Sequence, residues 1–155
     1  IIAIDTQASK LALAKQFGAT DCVDASTGNP VEQVKELTSG GVHHSFEAVG
    51  LKVTSEQAFR MLQWGGTATI IGMIPPSEKL EIRGADFLCE KRLQGTRMGS
   101  NRFPIDMPRF VDFYMQGRLH LDQLISKRIK LEDINGAFDE LKQGSLARSV
   151  IVFDS

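Results

Sequence analysis

The chain opens on a continuous apolar run, Ile1-Ile2-Ala3-Ile4, closed by Asp5-Thr6. A run without alternation predicts a short strand buried on both faces. Leu11, Ala14 and Phe17 then recur at helical spacing, with Leu13 four residues before Phe17, and Gly18 stands where that helix should stop. Asp21-Cys22-Val23-Asp24 predicts a second strand. Asn29-Pro30 reads as an N-cap followed by proline at the first helical position, and Val31, Val34 and Leu37 carry that helix toward Gly40-Gly41. His44 to Val49 predicts a third strand, and Val53 to Trp64 a helix closed by Gly65-Gly66. Thr67 to Met73, rich in Ile and Thr, predicts a fourth strand. Strand and helix alternating in this way predict a parallel, doubly wound α/β sheet.

After Gly72 the rhythm changes. Pro75-Pro76 makes a rigid turn, and Leu80-Glu81-Ile82 alternates as an exposed edge strand would. Ala85 to Lys91 suits one or two helical turns, and Leu93 to Met98 a further strand. A helix is expected from Met107 to Gln116, ended by Gly117. Lys127 to Lys130 reads as extended. Leu131-Glu132-Asp133 leads into a helix carrying Ile134, Ala137, Phe138 and Leu141, stopped by Gly144, and Ser149 to Phe153 predicts a closing strand. No internal repeat, low-complexity tract or linker interrupts the chain.

Composition narrows the possibilities. The 155 residues are 42% hydrophobic and 24% charged, ordinary for a globular domain with a sizeable core. A formal net charge of -1 gives no electrostatic reason to expect nucleic acid or an anionic membrane as a partner. No run approaches the roughly 20 apolar residues of a membrane span, and no secretory signal pattern is visible. Cys22 and Cys89 lie far apart, so a disulfide framework is unsupported and a reducing, cytoplasmic setting is the expectation. A native chain rarely begins as a buried strand, so Ile1 is read as the start of a truncated or processed piece.

Candidate chemistry begins at Asp5. A carboxylate ending the second strand of a dinucleotide fold accepts hydrogen bonds from the adenosine ribose hydroxyls. It also repels a 2′-phosphate, favouring NAD over NADP, and Thr6 is not the arginine that a 2′-phosphate would want. The competing reading is a strand-to-helix turn in which Asp5 caps the helix. The Gly-x-Gly-x-x-Gly loop should lie about 20 residues earlier, which places it before Ile1. Neither Gly40-Gly41, Gly65-Gly66 nor Gly95/Gly99 opens a helix after a first strand. Phe46-Glu47-Ala48-Val49-Gly50 and Ile70-Ile71-Gly72-Met73 end strands where an open α/β sheet binds ligands, although any buried parallel strand looks similar. His43 and His44 are adjacent and point to opposite faces of a strand, His120 stands alone, and the two cysteines are not at metal spacing, so no zinc site is expected in this chain.

At these residues a resemblance emerges. Ile1 to Asp5 with Lys10 to Thr20, Gly40-Gly41-Val42 through Phe46 to Gly50, Leu93-Gln94-Gly95, Leu131 to Phe138, and Gly144 through Arg148-Ser149-Val150-Ile151 resemble zinc-dependent medium-chain alcohol dehydrogenases. The likeness covers essentially the whole chain in order and spacing. Gly95 through Arg102 looks closest to the class III and mycothiol- or nitrosoaniline-linked bacterial branch.

The resemblance implies a Rossmann-type sheet lacking its first strand and Gly-rich loop. Residues 1–97 would be a partial dinucleotide-binding domain, and 98–155 a C-terminal segment returning to an absent catalytic domain. Asp5 would hold the ribose with Lys10 beside it. Ala48 and Val49 would line the cleft near the middle of NAD; Ile71, Gly72 and Met73 would pack near the nicotinamide; Gly95, Thr96 and Arg97 would continue that wall. Arg148 would reach the pyrophosphate, whereas local sequence alone reads it as a solvated arginine.

Zinc would sit in the missing N-terminal half, so no catalytic residue is assigned here. The implied reaction is hydride transfer between an alcohol and the nicotinamide. Alternatives are a zinc-free quinone or enoyl reductase of the same superfamily, or a non-catalytic scaffold that kept the fold. In the order 3-2-1-4-5-6 the missing strand lies between those ending at Asp5 and Val49, so a longer polypeptide or a second chain is the expected complement. Leu80-Glu81-Ile82, rimmed by Glu78, Lys79 and Arg83, resembles the family's dimer edge; the other reading is a charged, protected edge.

Overall fold

The computed structural model describes residues 1–144 and 148–153. Part of the stretch Gly144 through Arg148, and the last two residues of the C-terminal segment, therefore lie outside the described residues. The chain divides into two compact units, Ile1–Asn101 and Arg102–Ser155.

The first unit alternates strand and helix. Its elements are β1 (Ile2–Asp5), α1 (Ala8–Gln16), β2 (Asp21–Asp24), α2 (Pro30–Leu37), β3 (Val42–Glu47), α3 (Lys52–Arg60), β4 (Leu62–Ile70) and β5 (Arg92–Gly95). A 3-10 helix covers Gly84–Cys89 before β5. Local chemistry accounts for several boundaries. Gly18 follows α1 at a φ of +99° that a side chain resists. Asn29 caps α2, its side-chain oxygen accepting the Val31 N–H, with Pro30 at the first helical position.

All strand pairs are parallel, as expected for the doubly wound class. β1 pairs with β2, while β3, β4 and β5 form a separate sheet in that order. Phe59, Leu62 and Ala68 are fully buried and pack with Val42, Ile82 and Leu93. Val23, Val34 and Met61 form a neighbouring cluster with Ile2, Val31 and Val42. Val42 touches both clusters and joins α2 and α3 to the sheet.

Several elements differ from the sequence pattern. The helix expected to reach Trp64 ends at Arg60, because Met61 and Leu62 are drawn into the core at 5% and 0% exposure and Leu62 already pairs with Val42. Gly65-Gly66 is therefore no helix stop but lies inside β4. Pairing jumps from Val42 with Leu62 to His44 with Thr67, a bulge for which Gly65 supplies a φ of +72°. A Cβ on Gly66 would stand 2.9 Å from the Val42 carbonyl oxygen. Leu80-Glu81-Ile82 forms no strand among the described residues; the Glu81 N–H is satisfied by the Glu56 carboxylate at 2.9 Å and Ile82 packs on the Phe59 cluster.

In the second unit, α4 (Phe103–Met115) begins four residues before the expected Met107. The Asp106 carboxylate accepts the Arg102 N–H at 2.7 Å, which fixes the first turn, and Pro104 falls where a helix needs no N–H. That backbone bond holds the Asp106 carboxyl below its usual range. β6 (Lys127–Ile129), a 3-10 turn at Leu131–Asp133, α5 (Ile134–Lys142) and β7 (Ser149–Ile151) complete the unit, with β6 and β7 parallel. Among the described residues no helix is long and apolar enough to cross a membrane.

β1 and β3 each keep one edge without a strand partner among the described residues. Between them lies a cavity of about 680 Å³, lined by Ile2, Ile4, Val42, Phe46, Ala58 and Met61 among others. This is the position of the central strand in the doubly wound order. Each buried backbone group left unpaired there costs about 1–3 kcal/mol, against a whole-domain stability of roughly 5–15 kcal/mol. Produced alone, residues 1–155 are expected to self-associate or to unfold without a cooperative transition. Sedimentation velocity and a urea curve check this, and a cooperative monomer would contradict it.

Candidate functional site

In the first unit the parallel register brings the carboxyl ends of the strands to one edge. β1 ends at Asp5, which is half-buried, its Oδ1 accepting the Gln7 N–H at 2.9 Å. This bond shapes the strand-to-helix turn, but Asp5 does not cap α1, whose N-cap is Gln7 without a side-chain cap bond. Lys10 lies in the first turn of α1, also half-buried.

The ends of β3 and β4 are tied together. The Glu47 carbonyl oxygen accepts the N–H groups of Ile71 at 2.7 Å and Gly72 at 3.1 Å. Its side chain, 3% exposed, turns back under the following loop. Oε1 accepts the Val49 N–H at 2.8 Å, the Gly50 N–H at 2.7 Å and the Thr54 hydroxyl at 2.7 Å. Oε2 is buried with no hydrogen bond among the described residues. Sequence reasoning passed over Glu47. The signal was a lone carboxylate at the end of an apolar strand, followed by small residues and, seven positions on, by a hydroxyl.

Gly50 and Gly72 allow this closeness. Gly50 has φ +87°, and a Cβ there would stand 2.7 Å from the Met73 carbonyl oxygen. A Cβ on Gly72 would overlap Gly50 N and stand 2.6 Å from Glu47 Oε2. The packing leaves Val49, Ile71 and Met73 exposed at 68%, 49% and 93%, an apolar ledge on the sheet edge, with Ala48 also exposed. Beside it the Thr96 N–H donates to the Ile70 carbonyl at 3.0 Å, extending the β4–β5 pairing toward Arg97. Gly95 has open space where a Cβ would project, and Arg97 is exposed.

Ala48, Val49, Ile71, Gly72, Met73, Gly95, Thr96 and Arg97 thus share the ends of the three-stranded sheet. Asp5 ends β1 of the two-stranded sheet and Lys10 lies in the helix that follows it, and the unfilled slot separates β1 from β3. Arg148 stands in the second unit just before β7; its side chain is exposed and its carbonyl accepts the Ser126 N–H at 2.9 Å. Among the described residues no three His, Cys, Asp or Glu side chains come together as a metal would need.

Residues 1–116 match a family model described as zinc-binding dehydrogenase. The chain belongs to the zinc-binding dehydrogenase family. It is 36% identical over 154 residues to an S-(hydroxymethyl)glutathione dehydrogenase of Synechocystis sp., covering 97% of this chain and 42% of that protein. Benzyl alcohol dehydrogenase from Acinetobacter calcoaceticus superposes with a TM-score of 0.94 at 30% identity, over 99% of this chain and 42% of that one. A zinc-binding dehydrogenase from Sinorhizobium meliloti 1021, solved bound to NADP, superposes with a TM-score of 0.80 at 35% identity, over 88% of this chain and 40% of that one. The chain therefore spans about two-fifths of these relatives' lengths, at their C-terminal, cofactor-binding portion.

The glycine contacts separate packing from open space. Gly72→Ala is expected to destabilise by about 1–3 kcal/mol through overpacking, whereas Gly95→Ala, with nothing within 4 Å of its Cβ, should stay within about 0.5 kcal/mol. Denaturant midpoints of the two variants in the full-length protein check this.

Proposed function

We propose that this chain is the nucleotide-binding part of an NAD-linked alcohol dehydrogenase. Family membership supports the reaction class, and the carboxyl edge of the sheet supports the ligand. The observation that carries the reading is a carboxylate, Asp5, closing β1 at that edge while an apolar ledge of Val49, Ile71 and Met73 closes β3 and β4. A dinucleotide has the matching ends: a ribose diol that donates to a carboxylate and a flat nicotinamide that needs an apolar wall. The open space at Gly95 fits the ring's approach to that wall.

In this reading Asp5 holds the ribose, with Lys10 alongside. Ala48 and Val49 line the cleft. Ile71, Gly72, Met73, Gly95, Thr96 and Arg97 form the nicotinamide wall, and Arg148 pairs with the pyrophosphate. Bound NAD supplies the hydride acceptor, while these residues orient it and exclude water. The described residues hold no group of three His, Cys, Asp or Glu side chains that would suit zinc. The remaining portion of the parent polypeptide, or a second chain, would supply the strand between β1 and β3, the phosphate loop and any zinc ligands. Residues 98–155 would return to that portion, and exposed apolar side chains of α4 such as Phe103, Ile105 and Met107 support a packing role. Association of two copies and a cytoplasmic setting complete the proposal.

NADP is the competing cofactor, favoured by the NADP-bound relative. Charge favours NAD, because the Asp5 carboxylate would face a 2′-phosphate with like sign. Calorimetric titration of the full-length protein separates the two. NADH is expected to bind at least about tenfold more tightly than NADPH. Asp5→Ala should weaken NADH by about 1.5–3 kcal/mol, the worth of hydrogen bonds to a charged group. Equal affinity for both cofactors, or an Asp5→Ala variant that binds NADH normally, would overturn the assignment.

A further inference from the structure

We infer that Glu47 is the positioning residue for the nicotinamide wall, setting the ledge through hydrogen bonds while never touching the cofactor. The inference rests on the cofactor reading above. At 3% exposure the side chain cannot reach a ligand on the edge. What it reaches is both loops that form the ledge. Its Oε1 gathers the N–H groups of Val49 and Gly50 and the Thr54 hydroxyl, so the first turn of α3 and the loop after β3 converge on one atom. Its carbonyl oxygen holds Ile71 and Gly72 of the loop after β4. Its Oε2 lies against Gly72, where a Cβ would stand 2.6 Å away.

The carboxyl group suits this place. Three donors meet one buried oxygen, and an ionised acceptor makes shorter and stronger bonds than a neutral one. A glutamine of the same size would present a weaker acceptor to Val49, Gly50 and Thr54, or turn N–H groups toward them. Either arrangement loosens Ala48–Gly50 against Ile71–Met73. Asp5 is independent of this clamp: its side-chain contact is to Gln7, at the head of α1.

This independence makes the inference testable by ligand halves. In the full-length protein, the affinities of wild type and Glu47→Gln for NADH and for AMP are measured by fluorescence and calorimetry. Glu47→Gln is expected to weaken NADH about tenfold, the equivalent of one charge-assisted bond, and to leave AMP within about twofold. Thr54→Val, which keeps the carboxylate and removes one donor, should weaken NADH by a smaller factor with AMP again unchanged. It carries the test if Glu47→Gln does not fold. Parallel loss of NADH and AMP would show a merely structural role and overturn the inference, as would unchanged NADH affinity in a folded variant. A wild-type protein that fails to bind NADH would instead remove the cofactor reading, and this inference with it.

Discussion

Parallel pairing along β4 is the constraint on which the ledge depends. Residues Thr67 to Ile70 pair on one side with His44 to Glu47 and on the other with Arg92 to Gly95. Three strands consequently end at the same level, and the segments that follow them emerge together. The register is held from beneath by Phe59, Leu62 and Ala68, all at 0% exposure. A one-residue slip in β4 would turn Ala68 outward, since side chains alternate between faces. It would also carry Gly72 away from Gly50. Packing in the core and geometry at the edge are therefore one problem.

Two kinds of polar interaction act in this unit. Glu47 is buried and its interactions are local, directional and screened from water. The Lys52, Glu56, Arg60 and Glu81 side chains form an ion-pair network at the surface, with contacts from 2.5 to 3.9 Å. The Lys52–Glu81 bond raises the lysine's pKa and lowers the glutamate's. Exposed pairs of this type contribute little to stability. Their effect is to lay the segment around Glu81 alongside α3, with the Glu81 N–H on Glu56. That segment needs no strand partner to be held, which is why its alternating pattern does not become a strand.

The slot between β1 and β3 belongs to the same physics. Ile2 and Ile4 face it from one side and Val42 and Phe46 from the other. Phe46 is 68% exposed there, a large aromatic between the half-buried Ser45 and the buried Glu47. Doubly wound sheets place their first strand at such a position and wind both halves away from it. The two sheets seen here are the two halves of one winding, and Asp5 and the ledge of Val49, Ile71 and Met73 lie on opposite sides of the seam.

Much of this protein was legible along the chain. The alternation of elements, the Asn29-Pro30 cap, the helix end at Gly18 and the strand ends near Glu47 and Ile70 follow from local rules: periodicity, dihedral preference and the handed winding of α/β units. What the chain alone could not decide were matters of contact. Gly65-Gly66 has the composition of a helix stop, yet it makes a bulge because Met61 and Leu62 gain more from burial in the core than from another helical turn. Glu47 looked like one polar residue in an apolar strand. Its partners, Val49, Gly50, Thr54 and Gly72, are neighbours in space through two loops and a helix end. A one-dimensional pattern records which side chains can be buried; only the folded register decides which donors reach a buried oxygen.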